Sequence, residues 1–425
     1  MIEGIYLPSP YINFLITTLI NAGLIQVIID LSHLCINGAV MNRVIKISIL
    51  ALILISSAMG LINCGSNRNS NGGDDEVLIS SLRFADPNLA DCVTSTSATY
   101  VSDLSTLNCT EGGISNLSGI ESLTSLTVLI LTSNSISDIS ALARLSKLTE
   151  VRLNSNNLSD ISALSSLTSI TFLSLDFNNI TDISALPGMT GMTSLNLAVN
   201  SITDVSPLSG MTDMKVFFLK VNNISDISAL AGMTGMEELY LANNSISDIT
   251  ALPGMTNLTA LELSFNNIND ISALAGLSKL TEVRLNSNNL NDISALSSLT
   301  SITFLSLDFN NITDISALAG MTGMTSLNLA VNSITDVSPL SGMTDMKVLF
   351  LQVNNISVIL ALAGMTGMDE LRLDDNSITT GVADLIGLTS AALINLFNNN
   401  SIPCADLAIL TTALPGVVTE PSSCI

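Results

Sequence analysis

Residues 148–167 read "LTEVRLNSNNLSDISALSSL". The stretch reduces to L-x-x-[LV]-x-L-x-x-N-x-[IL]-x-D-I-x-x-L-x-x-L, and the chain restates it many times. Asn stands at 134, 156, 178, 200, 222, 244, 266, 288, 310, 332, 354 and 376, a strict period of 22. Self-similarity at such a period marks a stacked array, not a globule with one closed core.

The spacing inside one unit dictates its geometry. Leu148, Val151 and Leu153 face inward while Glu150 and Arg152 face out, which is the alternation of a short strand. Ile161, Leu164 and Leu167 recur every third residue, which suits a tight 3₁₀ turn on the opposite side. A single unit cannot bury its apolar face, so neighbours must stack and pair their strands in parallel. About thirteen strands at roughly 4.8 Å are expected. A buried Asn amide offers donors and an acceptor to bridge successive turns, so the Asn column reads as structural. Asp follows four residues later at 138, 160, 182, 204, 226, 248, 270, 292, 314 and 336. Each carboxylate is expected to cap the following turn by accepting from backbone N–H groups. The alternative is a calcium ladder, but one carboxylate per turn supplies few of the oxygens a calcium ion needs.

This pattern resembles the leucine-rich repeats. The resemblance implies an α/β repeat solenoid: an arc of 22-residue units with a parallel concave sheet, 3₁₀ turns on the convex side and capped ends. The repeats are assigned to residues 126–389. Residues 78–125 form an N-terminal cap with a degenerate first unit (Leu104, Leu107, Cys109, Ile114, Leu117), and residues 390–425 a last degenerate unit with a C-terminal cap. In "LRFADPNLADCV" (82–93), Asp86 followed by Pro87 is a helix-start signature. This cap resembles that of bacterial internalin-like proteins. Such proteins recognise proteins or glycans, often in adhesion, and the resemblance extends that expectation to residues 78–425.

The N-terminal region reads differently. "MNRVIKISILALILISSAMGLINC" begins at Met41, with Arg43 and Lys46 ahead of an apolar run at 47–58. That is the layout of a secretory signal peptide. "LINC" (61–64) resembles a bacterial lipobox, with Cys64 as the lipid-bearing residue. Asn63 departs from the small residue usual there. Residues 41–63 are therefore read as a lipoprotein signal peptide, and residues 64–77, with "GSNRNSNGGDDE", as a flexible tether. Met41 is taken as the start and residues 1–40 as an untranslated or non-native extension. The alternative is a hairpin of two membrane helices, since residues 12–29 are long enough for a marginal span.

Setting aside Cys35 and Cys64 leaves Cys92, Cys109, Cys404 and Cys424. An exported chain meets an oxidising compartment. The expected bridges are Cys92–Cys109 and Cys404–Cys424, the one pairing that does not tie the two ends of a long rod together.

Composition narrows the function. Net charge is −23 with 13 Lys plus Arg, so a phosphate backbone is repelled and nucleic-acid binding is not expected. The single histidine is His33. No His-based triad or His metal site is available in the array, and no phosphate-binding glycine motif occurs. No catalytic residue, metal or cofactor is assigned.

Residues 145–241 and 277–373 are a duplication at an offset of 132. They differ at eight positions: Ser159/Asn291, Pro187/Ala319, Phe217/Leu349, Lys220/Gln352, Asp226/Val358, Ser228/Leu360, Glu237/Asp369 and Tyr240/Arg372. Val358 and Leu360 expose apolar surface on the outer turn, by divergence of the copies or as a contact patch. The outward strand positions carry Arg152, Phe172, Phe218, Tyr240, Arg284, Phe304, Phe350 and Arg372, beside Glu150, Glu282 and Glu370. Aromatic and Arg side chains on a rigid sheet suit partner binding. The expected protein is a monomer, anchored to a membrane through its N-terminal lipid at a bacterial cell surface or outer membrane. It binds a protein or glycan through its concave face; the competing reading is a periplasm-facing scaffold.

Overall fold

A computed structural model describes residues 77–425. The extension at 1–40, the signal segment at 41–63, Cys64 and nearly all of the tether lie outside the described residues.

Fifteen strands form one parallel sheet in chain order. Strand β2 (Val128–Ile130), β3 (Glu150–Arg152) and β4 (Phe172–Ser174) show the register: Leu129 pairs with Val151 and Val151 with Leu173. Partners thus sit one sequence period apart. The two strands beyond the thirteen expected, β14 (Leu393–Asn395) and β15 (Val418–Thr419), come from the C-terminal segment. Leu148, Val151 and Leu153 are buried while Glu150 and Arg152 are half-exposed. The return segment is a 3₁₀ turn at Ser162–Ser166 that buries Leu164. The core is one continuous apolar column, and stability is carried by contact between neighbours.

The Asn column is a ladder of bridges. Asn156 Nδ2 donates to Leu131 O in the preceding unit (2.9 Å) and to Leu153 O in its own (3.0 Å), while its Oδ1 accepts from Ile136 N at 3.0 Å. The residue before each ladder Asn is left-handed, including Phe177, Val199, Val221, Phe265, Phe309, Val331 and Val353, with φ between 54° and 57°. The Asp column caps as expected. Asp138, Asp160, Asp182, Asp204, Asp226, Asp248, Asp270, Asp292, Asp314 and Asp336 each accept, through Oδ1, from the amide two residues on at 2.8 Å.

The 22-residue step lengthens only at the C-terminal end, where Ile394 pairs with Val418 at a step of 24 and the step before it is lengthened too. Glu370 pairs with Leu393, a step of one extra residue, and Asn399 takes over the ladder role. It donates to Leu373 O (2.9 Å) and Leu396 O (3.1 Å) and accepts from Ile378 N (3.2 Å). Gly381 sits in this lengthened unit at φ 98°. A Cβ there would lie 2.6 Å from Leu360 N, so only glycine fits without backbone movement.

Both ends are closed. Helix α1 (Pro87–Thr94) starts at Asp86, whose Oδ1 accepts from Asn88 N at 2.9 Å. Its Oδ2 reaches Ser115 N (2.8 Å) and Asn116 N (3.1 Å), pinning the helix to the first unit. Burial alone would raise this carboxyl; the amides of Ser115, Asn116 and Asn88 outweigh it and hold it below its ordinary value. Cys92 and Cys109 are bonded (Cα–Cα 5.9 Å), as are Cys404 and Cys424 (5.0 Å), the latter joining the start of helix α2 (Cys404–Ala413) to the last residues. Both pairings are those expected. Disulfides of this kind persist in oxidising, extracytoplasmic surroundings. Among the described residues no helix is long and apolar enough to cross a membrane.

Candidate functional site

Each strand presents two side chains to the concave side, and parallel register lines them into two columns. The register then decides which side chains meet. Glu150 pairs with Phe172, and the Arg152 guanidinium lies over the Phe172 ring at 4.5 Å. Glu282 pairs with Phe304, and Arg284 covers that ring at 4.6 Å. Phe218 pairs with Tyr240, their rings stacked at 4.5 Å and 6°. Phe350 pairs with Arg372, whose guanidinium stands 5.1 Å over the ring. The eight side chains singled out in the sequence are thus four couples, none of them isolated.

Each Arg is also held from its own strand. Arg152 Nε meets Glu150 Oε1 at 2.6 Å and Arg372 Nε meets Glu370 Oε1 at 2.6 Å; Arg284 bonds Glu282 Oε1 through Nη1 instead. A guanidinium fixed by a carboxylate and held over a ring loses little entropy when a partner covers it. Burial pulls the Arg284 pKa down, with Glu262 and Tyr240 opposing it, so its charge is desolvated. Tyr240 donates its hydroxyl to Glu238 at 2.9 Å. Burial first and Glu238 second push its pKa well up, so it stays neutral and keeps that proton.

Residues that sequence reasoning passed over complete the surface. Glu262 sits between Tyr240 and Arg284 in the same column. Asp176 and Asp308 accept from Ser174 Oγ and Ser306 Oγ at 2.6 Å, and burial raises both carboxyls. The duplication, which repeats Ser-x-Asp in both halves, was the available signal. Phe177, Phe265 and Phe309 stand exposed at left-handed positions on the rim of the sheet. Nothing in their residue type announces that conformation. Among the described residues no cluster of His, Cys, Asp and Glu converges on a metal position.

The family model for leucine-rich repeats in two copies matches residues 146–188, 214–254, 234–276 and 278–320, and a single-repeat model matches 122–143. No curated protein matches the chain. Among solved structures, an internalin (inlF) from Listeria monocytogenes is 33% identical, with a TM-score of 0.60 over 69% of this chain and 96% of that one. The functional domain of InlJ from Listeria monocytogenes, which includes a cysteine ladder, is 23% identical with a TM-score of 0.67 over 82% and 81% of the two chains. The plant peptide hormone receptor RGFR1 in complex with RGF2 is 20% identical, with a TM-score of 0.59 over 69% of this chain and 55% of that one. The fold is that of a protein-interaction scaffold. The chain belongs to the internalin-like leucine-rich-repeat proteins. Among the described residues the bonded cysteines of this chain lie in its two caps.

Proposed function

We propose that this protein is an extracytoplasmic binding lipoprotein, anchored through Cys64, that engages a protein partner in adhesion through its concave face. The observation that carries the reading is the set of four couples: Arg152–Phe172, Phe218–Tyr240, Arg284–Phe304 and Phe350–Arg372. Arg and aromatic side chains on a preorganised surface dominate protein interfaces. The two cap disulfides suit an exported chain. The anchor rests on the lipobox-like "LINC" and the signal-like segment before it.

The fragment 77–425, immobilised and used to capture surface proteins, should retain a partner that is lost when Phe172, Phe218, Phe304 and Phe350 are all changed to Ala. Unchanged capture removes the concave face from the reading. For the anchor, Cys64→Ala should release the protein from the membrane fraction and abolish incorporation of labelled fatty acid. A Cys64→Ala protein that stays lipid-labelled rules that assignment out.

A further inference from the structure

The duplication supplies an internal comparison on the outer face. Asp226 caps its turn through Ser228 N at 2.8 Å. Its copy is Val358, and Ser228 is copied as Leu360. With the cap gone, Val358 forms parallel bridges to Asp336 and Thr380, and Ile359 N donates to Thr380 O at 3.0 Å. Both side chains turn outward. Val358 is 48% and Leu360 56% exposed, and among the described large apolar residues only Ile425 is more exposed than Leu360. Together with Ala361, Gly364 and Asp336 they line an open depression of about 710 Å³.

We infer that this depression docks a cationic amphipathic segment of a partner protein. Charge complementarity selects that occupant. The depression ends the row of capping carboxylates, and Asp270, Asp292 and Asp336 are held below their ordinary pKa by the amides of their caps, so they stay charged. No residue lining the depression is basic, Asp336 is in it, and over all faces from residue 285 to 425 the chain has twelve acidic and two basic residues. A second copy of this chain or an anionic lipid surface is repelled by that field. Apolar side chains entering between Val358 and Leu360, flanked by Lys or Arg along the Asp row, satisfy both halves of the surface.

The test uses the labelled peptide LKKLLKLLKKLLKL and fluorescence anisotropy at near-physiological salt. The variant V358D/L360S installs the sequence of the other copy, which already folds in this array, and L360S alone is the milder form. The inference expects a loss of affinity of about tenfold for the double variant and a smaller loss for L360S. General attraction of a polycation to an acidic rod gives the opposite sign, because V358D/L360S is more negative. Equal or tighter binding by that variant overturns the inference. So does equal binding of LEELLELLEELLEL, which keeps the apolar face and reverses the charge. The concave couples are untouched by these changes, so the proposed partner there is judged separately.

Discussion

Arg372 lies over Phe350 in one half of the duplication where Tyr240 stacks on Phe218 in the other. The two couples occupy equivalent strands, so the scaffold accepts either a cation or a second ring on the same phenylalanine. Arg372→Tyr copies a couple the chain already builds. Its unfolding free energy should stay within about 0.5 kcal/mol of the parent, as for a surface change without a special role. Partner affinity, by contrast, should change. A denaturation curve displaced by several times that amount would show that the couples hold the sheet together.

The Asn ladder should be far less forgiving. Asn288 donates to Leu263 O (3.0 Å) and Leu285 O (3.1 Å) and accepts from Ile268 N (2.9 Å). Asn288→Ala leaves a buried amide and two carbonyls short of partners, at about 1–3 kcal/mol for each group left unsatisfied. A loss of about 3 kcal/mol or more in urea unfolding is expected. Asn288→Asp sets a carboxylate oxygen against the Leu263 and Leu285 carbonyls, so at neutral pH it should be at least as destabilising as Asn288→Ala.

Acid and neutral conditions should act oppositely on the two aspartate sets. Burial holds the Asp308 carboxyl above its ordinary 3.8. The folded chain then binds that proton more tightly than the unfolded one, so stability is lost as pH rises from 3.8 through the raised value. Asp308→Asn is expected to raise the thermal midpoint at pH 7 and leave it unchanged near pH 3. The capping row runs the other way. Asp270 is held down by the Ser272 amide, so its contribution is present above 3.8 and is lost as pH falls through the lowered value. Thermal melts of Asp308→Asn and Asp270→Ala at both pH values check both signs.

Removing the C-terminal bridge should act locally. Cys404 and Cys424 close a loop with a sequence separation of 20, which by chain entropy contributes about 3 kcal/mol. In a solenoid each unit depends on its neighbours alone. The C404S/C424S variant should therefore lose hydrogen-exchange protection in β14, β15 and α2 while β2 to β4 keep theirs. Uniform loss of protection along the sheet would contradict nearest-neighbour stacking.

The repeat was legible because its period fixes strand, turn, ladder and cap together. The cap helix was legible in Asp86–Pro87, and both bridges followed from which cysteines share an end. Asn399 was not, because one inserted residue shifts it off the period, and the insertion is absorbed only where Gly381 meets Leu360. The concave residues were readable as a set, but their pairing was not. Phe350 meets Arg372 because strand register puts them side by side, and register is a property of the stack. The same holds for Asp308, whose burial comes from neighbouring units.

The left-handed column has one more consequence. Val199, Val221, Val331 and Val353 occupy a backbone basin that β-branched residues avoid, and each such residue costs on the order of 1 kcal/mol or more. The stack imposes the conformation; the local sequence opposes it. These four sites are thus an untapped thermodynamic reserve. Exchange of the valines for asparagine, which tolerates that basin, offers a route to a hardier scaffold without altering a single strand residue.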